Sequence, residues 1–249
     1  IEWIGHPMEL DEPLAAVVGD SWDREAFKKQ LEQQRLFEQV EQLARMGRFE
    51  EVEKMARTQI PETSDADLKS RWQMLLLQVF VNQEKYDQAI EMAEAQAKEA
   101  SDPELTQLWS SILHQIRLLS GKASQEDFEF YLNDLKQRSG NPQAVIQFAA
   151  MMYSLYQSGG EIGPLGQAAI AALGKEVEGA QDDRLKVGMY ELTARLYTVN
   201  DEYEKALEAQ QKGFEIAKDL SRDVSKRASL FLDELKSKAA SSEDTESDK

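Results

Sequence analysis

Residues Tyr190–Gln210 read YELTARLYTVNDEYEKALEAQ. Apolar positions recur at helical spacing through the first half of this stretch and the residues before it, namely Leu185, Met189, Leu192, Leu196 and Val199. The pair Asn200 and Asp201 interrupts the pattern in the way a turn does. The stretch therefore predicts a helix, a short turn and a second helix.

The beginning of that second helix has two counterparts elsewhere in the chain. EYEKA at Glu202–Ala206 matches RFEEV at Arg48–Val52 and KYDQA at Lys85–Ala89 in its aromatic residue and the acid that follows. From the first aromatic to the second is 37 residues, and from the second to the third is 117, which is three steps of 39. This spacing predicts an internal repeat in which two further copies have lost the motif.

The pattern resembles the tetratricopeptide repeat, a helix-turn-helix unit of about 34 residues in which large and small residues alternate at the packing positions. Between Leu105 and Gly179 only the alternation of helices persists. The resemblance implies an all-α fold, a right-handed tetratricopeptide-like superhelix of antiparallel helix pairs over residues 24–238. The residues that carry it are Tyr190, Ala194, Tyr197, Tyr203 and Ala206 in the best copy, Leu76, Phe80, Tyr86, Ala89 and Pro103 in the second, and Gly47, Phe49 and Ala56, with Val52 in place of a small residue, in the first.

Local signals divide the chain into about eleven helices, with ends uncertain by about 2–4 residues. Ser124 and Asp127 have the spacing of a capping box, and three prolines suit first-turn positions. Glycine, proline and short polar stretches separate the helices. The prolines are Pro103, Pro142 and Pro164, and Pro61 also stands as a break between helices.

The first 23 residues follow another pattern. IEWIGHP at Ile1–Pro7 reads as a strand followed by a turn, and Asp11–Val18 reads as a short helix with a proline in its first turn. This run resembles the C-terminal end of a thioredoxin-like domain of the thiol-disulfide oxidoreductase, or redoxin, type. The resemblance implies a remnant strand and helix at 1–23, a Cys-x-x-Cys before Ile1, and a periplasmic or exported parent. We expect Ile1 to be an internal residue of a longer polypeptide or a processing product.

The composition excludes several classes of function. The chain has 46 acidic and 29 basic residues, a net charge of −17 and no cysteine. A surface of this sign repels nucleic-acid phosphates, and without cysteine the chain has no thiolate of its own. The longest apolar run, Met74–Val81, is far shorter than the roughly 20 residues of a membrane span. Residues 239–249 are predicted to form a disordered acidic tail, since SSEDTESDK has no apolar residue.

No catalytic, cofactor-binding or metal site can be assigned from motifs. The two histidines, His6 and His114, lack a partner at metal-motif spacing. GGEIGPLG at Gly159–Gly166 lacks both the strand and the Gly-Lys-Ser/Thr of a phosphate loop, so it reads as a flexible loop between helices. The adjacent acids Glu50 and Glu51, and likewise Asp182 and Asp183, read as solvated charges.

Several aromatic residues occur at helical spacing and are interpreted mainly as core, with a ligand groove as the alternative. They are Trp72, Trp109, Tyr190, Tyr197 and Phe214. Tyr197 and Tyr203 are predicted to be largely buried, with a loss of about 3–5 kcal/mol for Tyr203→Ala. The concave face of the repeats is the expected surface for a protein or peptide partner.

Two functions follow from these patterns. In the first, the chain is a protein-interaction domain appended to a thioredoxin-like thiol-disulfide oxidoreductase, and it lacks the redox site. In the second, the opening resemblance is accidental and the chain is a stand-alone scaffold or adaptor. Whether the parent is an enzyme stays open, and the sequence predicts no cofactor.

Overall fold

The structure is a computed structural model that describes Gly19 and residues 23–246, without the side chains of 241–246. The described residues form helices and turns only, which confirms the predicted all-α class over this range. The predicted strand at Ile1–Ile4 and helix at Asp11–Val18 lie outside the described residues. The helices are α1 Arg24–Arg45, α2 Phe49–Glu62, α3 Ala66–Asn82, α4 Tyr86–Glu99, α5 Pro103–Leu119, α6 Gln125–Arg138, α7 Pro142–Gln157, α8 Pro164–Gly179, α9 Asp183–Thr198, α10 Tyr203–Ala217 and α11 Arg222–Glu246.

The helix ends follow the local sequence signals closely. Asp102 caps α5 by accepting from the amide of Glu104, and the side chains of Ser124 and Asp127 form the reciprocal capping box at α6. Each of the three predicted prolines lies in the first turn of its helix. Pro61 is the exception, because it lies inside the last turn of α2 instead of between helices.

The chain divides into two compact units, Ile1–Met92 and Ala93–Lys249. This division falls inside the single repeat domain predicted for residues 24–238. In the first unit, α2 packs on α1 and α3. Phe37 and Trp72 meet edge to face at the core of that unit, with ring centroids 4.8 Å apart.

The largest core of the second unit lies among α6, α7 and α8 and extends to the buried face of α9. Bulky apolar side chains fill it, and α7 contributes a fully buried stripe at helical spacing. The side chains that exclude solvent most completely are Leu118, Phe148, Met152, Leu165, Leu173, Met189 and Leu196.

Packing changes where α9, α10 and α11 meet. Small residues are the majority of the buried side chains at these two contacts: Ala194, Ala206 and Ala209, with Leu235, in one, and Val187, Ala217 and Ala228 in the other. Alanines let helix backbones approach closely, and the half-buried Tyr197 of α9 packs against the first of these contacts.

Tyr197 and Tyr203 are half-buried, so neither is enclosed as completely as the core aromatic residues. Tyr203 is the first residue of α10, and its hydroxyl donates to the Asp201 carboxylate in the preceding turn, 3.1 Å away. A position at the turn keeps the ring partly in water, so Tyr203→Ala removes less buried surface than a core aromatic would.

The last helix continues to Glu246, so the backbone of 239–246 is helical, whereas the sequence predicts a disordered tail from 239. The run KAASSEDTE contains no glycine or proline to end the helix. Among the described residues, no helix combines the length and the apolar character that crossing a membrane requires.

Candidate functional site

A groove of about 540 Å³ lies between α8 and α10, over one face of α9. We call it the α8–α10 groove. Its floor contains Tyr190, Thr193 and Tyr197, each half-buried, above the fully buried Met189. The volume is within the roughly 300–1,000 Å³ of pockets that hold ligands. The half-buried tyrosines give the groove an apolar floor that carries hydroxyl groups.

The walls of the groove combine small and charged residues. Ala171 and Gly174 line the α8 side, and Ala209 lines the α10 side. A Cβ atom added at Gly174 would meet no atom within 4 Å, so the space above this residue is open. The small residues therefore leave the groove accessible from outside.

Beyond one end of the groove, a hydrogen bond joins the start of α8 to the residue before α10. The amide of Gln167 on α8 donates to the carboxylate of Glu202, just before α10, at 3.0 Å. Glu202 also accepts from Lys205, whose ammonium lies 5.6 Å from the centre of the Tyr197 ring. The hydrogen bond to Glu202 raises the pKa of Lys205. Lys205 is thus a positive charge at every physiological pH.

The other end carries charges on both walls. Lys212 on α10 donates to Glu208 at 2.7 Å, and this bond raises the pKa of Lys212. Glu178 on the α8 wall is exposed. The groove therefore presents Lys205, Glu208 and Lys212 along its α10 wall and the carboxylate of Glu178 at the end of its α8 wall.

A second cluster lies between α5 and α6, away from the groove. Nδ1 of His114 is 2.6 Å from Oδ1 of Asp127, a carboxylate with no exposed surface. Arg117 lies 3.4 Å from the same oxygen and also donates to Glu94 at 2.7 Å. The His114 ring stacks on Phe130 with centroids 4.2 Å apart. These contacts join α5 to the start of α6.

The electrostatics of Asp127 explain how a carboxylate is accommodated there. Burial opposes its ionisation, but hydrogen bonds from the side chain and backbone of Ser124, then from His114, together with the charge of Arg117, lower its pKa overall. Burial also raises the pKa of the neighbouring Tyr131 to about 12, with Asp134 and Asp127 adding to the effect. Asp127 is therefore a buried anion held by donors on every side.

The structure assigns other roles to the remaining polar residues singled out by the sequence. Glu51 accepts from Arg48 at 2.6 Å, and Glu50 is exposed. Asp182 caps α9 through the amide of Arg184, and Asp183 pairs with Lys186 at 2.9 Å. These carboxylates stabilise helix starts, and they do not converge on one point. His6 lies outside the described residues.

The Gly159–Gly166 segment connects α7 to α8, as predicted, but it is anchored instead of flexible. The amide of Glu161 donates to the last-turn carbonyl of Leu118 on α5 at 2.9 Å, and Ile162 is buried. Gly160 has no room for a side chain, because a Cβ there would lie 3.0 Å from the Leu155 carbonyl oxygen. The glycines serve this close approach of backbones.

The aromatic candidates divide between the two interpretations. Trp72 and Trp109 are core residues, as predicted, with 0% and 4% of their surface exposed. Phe214 is half-buried and packs against the contact between α10 and α11. Tyr190 and Tyr197 line the groove instead. Sequence spacing alone could not separate these cases, because all five fall on apolar helix faces.

Within the described residues, no three or more histidine or acidic side chains come close enough together to hold a metal ion. No protein-family model, curated protein or solved structure gives a significant match to this chain.

Proposed function

We propose that this chain is a protein-interaction domain built of helical repeats, which binds a peptide segment of a partner protein in the α8–α10 groove. The observation that carries the proposal is the groove itself, with two half-buried tyrosines on its floor and small residues on its walls. Tyrosine is enriched where proteins bind one another, because it supplies a large apolar surface and a polar hydroxyl at low entropic cost.

The chemistry of the groove favours binding over catalysis. Lys205 pairs with Glu202, just before α10, and Lys212 pairs with Glu208 on α10; these bonds raise the pKa values of both lysines, which keeps them protonated. A protonated amine is neither a nucleophile nor a base. The side chains that line the groove are therefore suited to holding a ligand without transforming it.

The test uses the full chain and a display library of peptides. Peptides selected on the wild-type chain are measured against Gly174→Trp, which places an indole in the open space of the groove. Gly179→Trp is the matched control, because this glycine is also exposed on α8, also has no atom within 4 Å of a Cβ, and does not line the groove. We expect Gly174→Trp to weaken binding by about tenfold or more, and Gly179→Trp to leave it unchanged.

Circular dichroism and thermal unfolding first establish that both variants fold. If the two folded variants bind the selected peptides as well as the wild type does, the groove is not the binding surface and the proposal is wrong.

A link to redox chemistry is the second part of the proposal. It rests on the similarity of residues 1–23 to the end of a thioredoxin-like domain. Because this chain has no cysteine, it cannot supply the thiolate that disulfide exchange requires. We expect it to leave insulin disulfides intact, and we expect a chain extended upstream through a Cys-x-x-Cys to reduce them. A gene with no such motif before Ile1, or an inert extended protein, would favour the stand-alone scaffold or adaptor instead.

A further inference from the structure

We propose that the occupant of the α8–α10 groove is an amphipathic helix of the partner, with apolar residues at positions i, i+4 and i+7 and acidic residues on the edge that faces α10. This inference rests on the proposed function, since it names the conformation and charge of the segment bound there. Three features of the groove support it: its length, the nature of its walls, and the position of its charges.

The length of the groove matches two turns of helix. Its lining runs from Ile170 to Glu178 on α8, a span of eight residues, and from Lys205 to Lys212 on α10, a span of seven. Seven residues of helix rise by about 10.5 Å. A partner helix presents residues i, i+4 and i+7 over the same distance, so three apolar side chains can lie along the tyrosine floor.

The walls favour a helical ligand over an extended one. Both walls and the floor are helices, and the backbone amides and carbonyls of their interiors are paired within each helix. An extended peptide gains much of its affinity from backbone hydrogen bonds to a free sheet edge, which these walls do not provide. A helix satisfies its own backbone and needs only side-chain contacts, for which Ala171, Gly174 and Ala209 leave room.

The charges set the orientation of the partner. Lys205 and Lys212 lie seven residues apart on one wall, with side chains 62% and 55% exposed. Their present partners, Glu202 and Glu208, are neighbours on the same helix surface. Exposed pairs of this kind are weak, so acidic residues of a docked helix can join or replace them. The spacing matches the paired charges along the edges of helices in coiled coils.

The experiment follows from the selection described above. A selected peptide is synthesised with ¹³C labels, and its bound conformation is determined from its carbon chemical shifts. Its affinity is then measured for the wild type, for the double variant Lys205→Glu/Lys212→Glu, and for the control Lys175→Glu/Lys226→Glu. The control changes the net charge equally at exposed lysines that do not line the groove.

We expect helical shifts in the bound peptide. We also expect about tenfold weaker binding to the groove double variant only, and recovery when the acidic residues of the peptide are replaced by lysine. Extended or polyproline shifts, or equal binding to the two double variants, would overturn the helical acidic partner. In that case sensitivity to Gly174→Trp would still support the groove, so failure of this inference is distinct from failure of the proposed function.

Discussion

The α6–α8 part of the second unit and its α9–α11 part have similar helices and opposite packing. Large side chains such as Phe148 and Leu165 fill the α6–α8 core, and the polar contacts of Asp127 hold the neighbouring α5–α6 connection. Alanines are the majority of the buried residues at the contacts of α9–α11, together with Val187 and Leu235, and the sequence motif of the repeat is clearest there. Large side chains therefore fill the α6–α8 region, which lacks the motif. Mainly small side chains separate the helices of the α9–α11 region, which has it.

The α8–α10 groove lies where these two parts of the unit meet. Ile170 and Leu173 on its α8 side, and Met189 beneath its floor, belong to the large core. Ala209 on its α10 side belongs to the alanine contact, and Tyr190 and Tyr197 of α9 lie on the floor between the two sides. Both kinds of packing therefore contribute side chains to the groove.

The largest expected effect tests the bulky core. Phe148→Ala should lower the free energy of unfolding by about 3–5 kcal/mol, because the ring is 1% exposed and leaves a cavity. Urea denaturation measures this change. Leu230→Ala is the control, since that side chain is 61% exposed on α11. Equal losses in the two variants would show that this core does not carry the stability of α6–α8.

The next effect tests the connection between α5 and α6. Asp127→Asn should cost about 1.5–3 kcal/mol, because it removes the charge that Arg117 and the Ser124 donors stabilise. Glu126→Gln is the matched control, being an exposed acid in the same first turn. If the two variants have equal urea midpoints, the buried carboxylate does not contribute to the stability of the protein.

The lowered pKa of Asp127 predicts that the stability of the protein depends on pH. The pKa of Asp127 is lower in the folded protein than the value of about 3.9 in an unfolded chain. Its contribution to stability is therefore fully present above that value and is lost as the pH falls through the folded-state pKa. The free energy of unfolding, measured between about pH 5 and pH 2, should fall less steeply for Asp127→Asn than for the wild type. Parallel curves would contradict the lowered pKa.

A larger side chain in the contact between α9 and α10 should destabilise the protein. Ala206→Leu should destabilise the protein by about 1–3 kcal/mol, because this residue has no exposed surface and added bulk separates α10 from α9. The control Ala150→Leu adds the same bulk at an exposed position of α7 and should have little effect on the melting temperature. A neutral Ala206→Leu would mean that the contact is loosely packed.

The smallest expected effect is a gain in stability. Gly174→Ala should raise stability by about 0.4–1 kcal/mol, because alanine favours the helix and a Cβ there meets nothing. Gly163→Ala should act in the opposite direction, since Gly163 has a φ of +43° and a Cβ would lie 3.1 Å from the Phe128 ring. Thermal unfolding of the two variants shows whether each substitution raises or lowers stability. A loss of stability in Gly174→Ala would contradict an open groove.

Much of the fold could be predicted because its signals are local. The capping box of Ser124 and Asp127 and the first-turn prolines act within one turn of chain, so the sequence alone places these helix starts. Pro61 shows the limit of such signals: a proline tolerated in a last turn looks the same in sequence as one that separates two helices.

The candidate site could be predicted only in part. Tyr190 and Tyr197 were identifiable as large residues on one helix face, but the choice between core and groove depends on what α8 and α10 place opposite them. The contact between His114 and Asp127 could not be predicted from the sequence, because thirteen positions separate the two residues and no motif links them.

By itself, the sequence determined that the chain is helical, where most of its helices begin, and that it has no thiol chemistry of its own, because periodicity, caps and composition act locally or by count. Only the tertiary structure decided the division after Met92, the anchoring of the Gly159–Gly166 loop on α5, the partners of Asp127 and the existence of the α8–α10 groove. The physical reason is that each of these depends on contacts between segments that are distant in the chain, and side-chain pattern says little about which faces will meet.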